Sequence, residues 1–305
     1  TGRGYIIRGP QDFSTTVPAI HEAIFKGIPN NGEIKVNVGA LDHYNLIGNP
    51  YPSAIDADTF INDNSEVIKG TLYFWTHNTP ITNNKYTYTD YAVYNLLGGV
   101  GTRAALSSGI NETRPDGTIA SCQSFFAQSL VSGEVKFDNS MRVIEQNASF
   151  FKPGKINSKK GNLEKNRIWL NLTNRDGIFK QLLLGYTENA TDKYDPSFDG
   201  EAFNGNPYVN FYSINENKNW AIQGRGLPFE ENDVIPLGYQ TEINGTLSIS
   251  IDRLDGIFTN QSVFLEDKQI NVLHDLKKEP YDFTAEKGIF NVRFQLKFAD
   301  KKLNI

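Results

Sequence analysis

The chain has 305 residues, 39 % of them hydrophobic, with 30 basic and 35 acidic side chains for a net charge of −5. That balance argues against a nucleic-acid binder, which carries a basic stripe, and no apolar run reaches the ~18 residues that span a bilayer. A single cysteine, Cys122, rules out an intramolecular disulfide and a cysteine-based zinc site.

Twenty Phe and 14 Tyr against one Met favour strands over helices. Residues 1–9 are strand-like and carry no leader pattern, so a mature or excised segment is expected. Residues 21–25 allow a helical turn confined by Pro18 and Gly27, and Asn30-Asn31-Gly32 reads as a turn. Tyr44, Leu46 and Ile47 form a strand that Gly48, Asn49, Pro50 and Pro52 break. Asn49 precedes proline, so its backbone is biased to extended conformations. Ser53 and Asp56 stand at capping-box spacing, which predicts a short helix over 54–61 ending near residues 62–64. Further strands are expected at 70–75, 88–94, 124–128 and 134–137. The stretch 98–102 is glycine-rich, lacks the lysine of a phosphate loop and reads as a loop. Cys122 lies in an apolar run, 119–126, and is expected as a buried structural thiol.

Residues 151–165 turn polar and basic with Pro and Gly, the pattern of a linker. A division into 1–155 and 156–305 follows. Past it, strands at 167–172 and 178–186 flank Asn174-Arg175-Asp176-Gly177, a hairpin signal. Strands at 208–214, 220–223 and 263–266 come next. Leu247, Ile249 and Ile251 alternate with polar residues, as do Val292, Phe294, Leu296 and Phe298. Short strands between frequent turn signals predict an all-β protein with two sandwich-like or jelly-roll-like antiparallel domains and very little helix.

Little of this sequence carries chemistry. The four histidines show no metal-site spacing, and no nucleophile elbow is present. Asp195, Asp199 and Glu201 put three acids in one short loop, the single opening for a metal such as Ca²⁺; otherwise no cofactor is expected. Glu266-Asp267 reads as a solvent-facing strand end. Two distant carboxylates brought together would suffice for a glycosidase, so a glycan-active enzyme stays open as an alternative. The richest aromatic segments hold Trp75, Tyr86, Tyr88 and Tyr91, which suit stacking on sugar rings. Six Asn-x-Ser/Thr sequons are present and do not by themselves assign an origin.

Ordered blocks along residues 45–298 resemble a known family. LIGNPYPSAID at 46–56, IASCQSFF at 119–126, FDNSMR at 137–142 and ATDKYDPSFDG at 190–200 are four of them. AIQG at 221–224, PLG at 236–238, LEDK at 265–268 and RFQL at 293–296 continue the series. Together they are similar to the β-rich region preceding the sorting signal in type IX secretion substrates of flavobacteria and other Bacteroidetes. The resemblance implies export through the outer-membrane machinery and a place on the outer surface of a Gram-negative cell or outside it. It supplies no catalytic residues. A non-enzymatic, adhesin-type module for a surface glycan or protein is therefore expected, with a structural stalk as the other non-enzymatic reading. Partners would be the export machinery and that ligand, without nucleic acid or membrane insertion.

Overall fold

The computed structural model describes residues 1–6, 24, 26–76, 81–82, 85–86, 90–103, 114–144, 164–204, 206 and 208–300. The first half carries β1 (Ile34–Val38), β2 (Tyr44–Gly48), β3 (Ile55–Asp56), α1 (Ala57–Asp63), β4 (Ile68–Thr76), β5 (Ile81–Thr82), β6 (Lys85–Tyr86) and β7 (Asp90–Asn95). It continues with β8 (Gly98–Val100), β9 (Thr102–Arg103), β10 (Thr118–Ile119), β11 (Ser124–Ser129) and β12 (Gly133–Phe137). The second half holds β13 (Lys165–Thr173), β14 (Phe179–Thr187), β15 (Gly200–Glu201), β16 (Val209–Asn215), β17 (Lys218–Gly226) and β18 (Val234–Thr241). Then come β19 (Gly245–Leu254), β20 (Phe264–Asp267), β21 (Val272–Asp275), β22 (Tyr281–Ala285) and β23 (Gly288–Lys297). With about 52 % strand and 6 % helix, the protein is all-β. Among the described residues no helix is long and apolar enough to cross a membrane.

A five-stranded sheet runs β2-β11-β4-β7-β8. Its inner face sends Ile47, Phe125, Leu72, Phe74 and Ala92 into a core shared with α1 and the β1–β12 pair. The second half coils a larger sheet into a nearly closed barrel, β21-β20-β23-β18-β16-β17-β14-β13-β19-β22. Register shifts at Trp169/Leu170 and Leu237/Tyr239 mark bulges, which bend and twist a strand. Its core is built from Leu170, Leu184, Phe211, Tyr239, Phe258 and Leu296, among others. The hairpin expected at 174–177 forms: the Asn174 Oδ1 accepts from the amides of Asp176 and Ile178, both at 3.0 Å, and Gly177 takes φ 95°. One pair departs from the antiparallel expectation. β14 and β17 run parallel from Leu183↔Ile222 to Thr187↔Gly226, because the chain between them, carrying β15 and β16, makes a crossover.

The two halves meet. β9 pairs with β14, and a third core joins Tyr73, Val93, Leu97 and Val100 to Trp169, Leu183, Phe198 and Ile222. The expected boundary near 155 and residues 151–163 of its linker lie outside the described residues, and Lys165 already opens β13.

Several local expectations shift. The helix cap is Asp56, whose Oδ1 accepts from the Thr59 amide at 2.7 Å. Ser53 is not the cap because its groups are already engaged: its Oγ accepts from Arg142 Nε at 2.8 Å and its carbonyl from Asn49 Nδ2 at 2.8 Å. The stretch 98–102 supplies β8 and part of β9 instead of a loop. Cys122 is exposed, not buried. The reason is a turn: β10 ends at Ile119, the Gln123 amide bonds the Ala120 carbonyl at 3.1 Å, and Cys122 takes φ 62°.

The corner after β2 is organised by Asn49, which is 6 % exposed. Its Nδ2 donates to the carbonyls of Ser53, Ile119 and Ala120 at 2.8, 3.2 and 3.0 Å, and its Oδ1 accepts from the Tyr51 amide at 3.0 Å. Asn49→Ala removes one hydrogen-bond partner from each of four backbone groups at a largely buried corner, and of these the Ala120 carbonyl keeps the Gln123 amide. Urea denaturation should show a loss of about 2–3 kcal/mol; a loss near zero would mean that water replaces the amide.

Candidate functional site

The outer face of the five-stranded sheet follows from period two. Register places Leu46, Phe126, Tyr73 and Val93 in one row, Trp75 opposite Tyr91, and Tyr44 opposite Gln128. Each therefore points away from the inner core. The second half covers only part of this face. Tyr73 and Val93 are buried against Phe198, Ala221 and Ile222, whereas Tyr44 is 40 % exposed and Trp75, Tyr91 and Phe126 stay half-buried.

Phe203 completes the array from the other side of the seam. It stacks on Tyr73 at 4.4 Å and meets Tyr44 and Tyr91 edge-on at 5.4 and 5.5 Å. Tyr91 also meets Phe126 edge-on at 5.9 Å. Next to this cluster, Tyr194 stacks on Trp220 at 5.2 Å, and the Lys218 ammonium lies 5.2 Å from the Tyr194 ring. Lys69 Nζ bonds Asp42 and Gln128, each at 2.7 Å, and lies 5.7 Å from the same ring. Between these groups lies a crevice of about 10 Å³, lined by Lys69, Tyr73, Gln128, Tyr194, Glu201 and Lys218 among others, with room for one water-sized group.

Electrostatics keep the phenols neutral. Burial, then the nearby Glu201 charge, pushes the Tyr44 hydroxyl up to about 12. Tyr194 is likewise pushed up to about 12, by burial first and then by Asp199 and Glu201. Both remain hydrogen-bonding hydroxyls at neutral pH.

The four sequence-predicted aromatics divide. Trp75 and Tyr91 are cross-strand neighbours on this face. Tyr86 sits in β6 opposite Ile81, and Tyr88 lies outside the described residues. Sequence reasoning missed Tyr44, Phe203, Tyr194 and Trp220, which come together only through long-range pairing. The parity of Tyr44 with Leu46 was the one local signal.

The three acids proposed for a metal do different work. Asp195 Oδ2 accepts from the Thr191 amide at 2.5 Å and its hydroxyl at 3.0 Å, closing its own loop. Asp199 is 3 % exposed; its Oδ2 accepts from the Asp195 amide and its Oδ1 from the Gly224 amide, both at 2.7 Å. A Cβ at Gly224 would stand 2.6 Å from the Phe198 Cβ, so glycine permits that approach. Glu201 lies in β15 at the crevice, its amide donating to the Tyr73 hydroxyl at 3.1 Å. Among the described residues no group of three or more His, Cys, Asp or Glu is set to hold a metal ion.

Glu266 and Asp267 correct the reading of a solvent-facing strand end. Asp267 is fully buried, and Glu266 is bonded by Lys297 at 2.9 Å and by Gln295. The cause is β23, which runs beside β20 and brings Arg293 to Asp267 and Gln295 to Glu266.

No curated protein and no solved structure matches the chain. A family model described as a domain of unknown function, DUF8693, matches residues 1–298, across both halves and the seam between them. The chain belongs to the DUF8693 family.

Proposed function

We propose that the protein is a non-enzymatic, adhesin-type binding module, exported by the type IX route to the outer cell surface or beyond, that takes a glycan across the aromatic seam. The observation that carries this reading is the row of incompletely covered rings, Tyr44, Phe203, Tyr91 and Phe126, beside Gln128, Glu201 and Lys218. Rings offer apolar faces to a pyranose, while amide, carboxylate and ammonium groups bond its hydroxyls. The crevice has the size for one such hydroxyl. Both oxygens of Asp199 are engaged by backbone amides, which supports a scaffold role for that acid over proton transfer to a substrate. Export and surface location rest on the block resemblance alone.

A glycan array followed by calorimetry tests the proposal. Tyr44→Ala should weaken binding of the retained glycan about tenfold with little change in stability, since this ring is among the most exposed in the cluster. A folded protein silent on the array and in cell adhesion would favour a passive stalk. Release of reducing ends from a polysaccharide, abolished by Glu201→Gln, would replace the proposal with an enzymatic one.

A further inference from the structure

On another part of the seam, three guanidinium groups converge on one indole. The Cζ atoms of Arg167, Arg253 and Arg114 lie 4.7, 5.3 and 5.4 Å from the Trp169 ring centroid. Trp169 itself is 2 % exposed and donates its Nε1–H to the Gly99 carbonyl at 3.0 Å. Its ring is closed to a ligand, and the arginines form the surface above it.

The β13–β19 bulge builds this arrangement. Trp169 pairs with Arg253 but Leu170 pairs with Ile251, so Asp252 is the extra residue. Consecutive residues of a regular strand point to opposite faces; a bulge re-aims them. Here Asp252 reaches Arg114 at 2.7 Å while the adjacent Arg253 reaches the Trp169 ring, so both serve one face.

The charges do not cancel. Arg167 is held by Asp255, with Nε–Oδ2 at 2.9 Å, and its Nη1 donates to the Leu97 carbonyl at 2.6 Å. Arg114 uses one nitrogen on Asp252. Arg253 is exposed and makes no hydrogen bond or ion pair among the described residues. One uncompensated positive charge remains on a chain whose net charge is −5. A guanidinium carries five N–H donors in a fixed fork that matches oxyanions. Among the described residues none of the five at Arg253 has an acceptor, and Arg114 has others beside it.

We propose that the bulge at Asp252 presents Arg253, with Arg114, as a binding site for an oxyanion, a sulfate or carboxylate group that is either free or borne by an acidic polysaccharide. This site is separate from the aromatic seam and does not depend on it.

Calorimetric titration with dextran sulfate, with neutral dextran as the comparison, tests it. Dextran sulfate should bind and neutral dextran should not. Arg253→Gln should weaken binding at least about tenfold, the loss of charge-assisted bonds, and Arg253→Lys should fall between. Among the described residues the Arg253 side chain makes no hydrogen bond or ion pair and meets the fold through the exposed side of its contact with the Trp169 ring, so both variants should unfold close to the wild-type urea midpoint. Inorganic sulfate that competes, against sodium chloride of matched ionic strength, assigns the site to free oxyanions; failure to compete assigns it to polymer-borne ones. Equal affinity of wild type and Arg253→Gln, or equal binding of neutral dextran, would overturn the proposal.

Discussion

Asp267→Ala is expected to lower the free energy of unfolding by about 3–5 kcal/mol, a large part of the ~5–15 kcal/mol that holds a typical protein folded. Asp267 is fully buried in a bidentate pair with Arg293, its Oδ1 accepting from Nε at 3.2 Å and its Oδ2 from Nη2 at 2.8 Å. It also accepts from the Tyr281 hydroxyl at 2.9 Å and the Gln269 amide at 3.0 Å. The guanidinium is 10 % exposed and lies 4.8 Å from the rings of both Phe283 and Phe294. Removing the carboxylate strands that cation among rings, and the stranded charge is the main cost. The double change Asp267→Leu, Arg293→Met should therefore recover much of the loss. Urea denaturation measures both. A single variant within 1 kcal/mol of wild type would show that water reaches Arg293 and that the pair contributes little. As a contrast, breaking the exposed Glu33–Lys136 pair, 3.1 Å apart at the surface, should leave the midpoint unmoved.

The second large effect is on pH dependence, and here two buried aspartates act with opposite sign. Burial raises the Asp199 carboxyl to about 7, with the Asp195 and Gly224 amides only partly opposing it. Its folded pKa therefore lies above its unfolded value, and the folded state holds the proton more tightly. The contribution of this group is full below pH ~4 and is lost as pH rises through about 7. The loss is on the order of 4 kcal/mol. At Asp267 burial also pushes upward, but the bonds from Arg293 and Tyr281 outweigh it and hold the carboxyl below its ordinary value. That contribution is present above the unfolded pKa and disappears as the solution is acidified. Asp199→Asn should flatten the decline between pH 4 and 7 while leaving the acid limb from Asp267 in place. Denaturation curves at unit pH intervals, read as wild type minus variant, give the result. Parallel profiles would show that Asp199 titrates near its ordinary value.

The block order in the sequence has a spatial counterpart. LIGNPYPSAID, IASCQSFF and FDNSMR meet at one corner, where Asn49 bonds Ile119 and Ala120 and Arg142 bonds Ser53. The FDG of 198–200 meets the AIQG of 221–224 through Asp199 and Gly224. LEDK and RFQL meet through Asp267 and Arg293. Strands with clean alternation or an Asp-Gly turn were legible because their signals are local. β18 was not, since Pro236 reads as a breaker in a strand flanked by β16 and β23; the neighbouring bulge at Leu237/Tyr239 relaxes the ladder there. Asp267 reads as exposed until its partner, 26 residues on, is known. The ring cluster was hidden for the same reason: register sets Tyr44 and Tyr91 on one sheet face, and Phe203 reaches both only by long-range packing across the seam.

β23 is bonded along both edges, to β18 from Val234↔Lys297 and to β20 from Phe264↔Lys297. Ladder bonds lie across the strand direction. A pull along β23 from its C-terminal end thus strains two rows of bonds together, in shear, instead of opening one row bond by bond like a zip. The buried Arg293–Asp267 clasp joins β23 to β20 and would have to slip in the same event. Under load along the chain, such a strand is a point of mechanical anchorage.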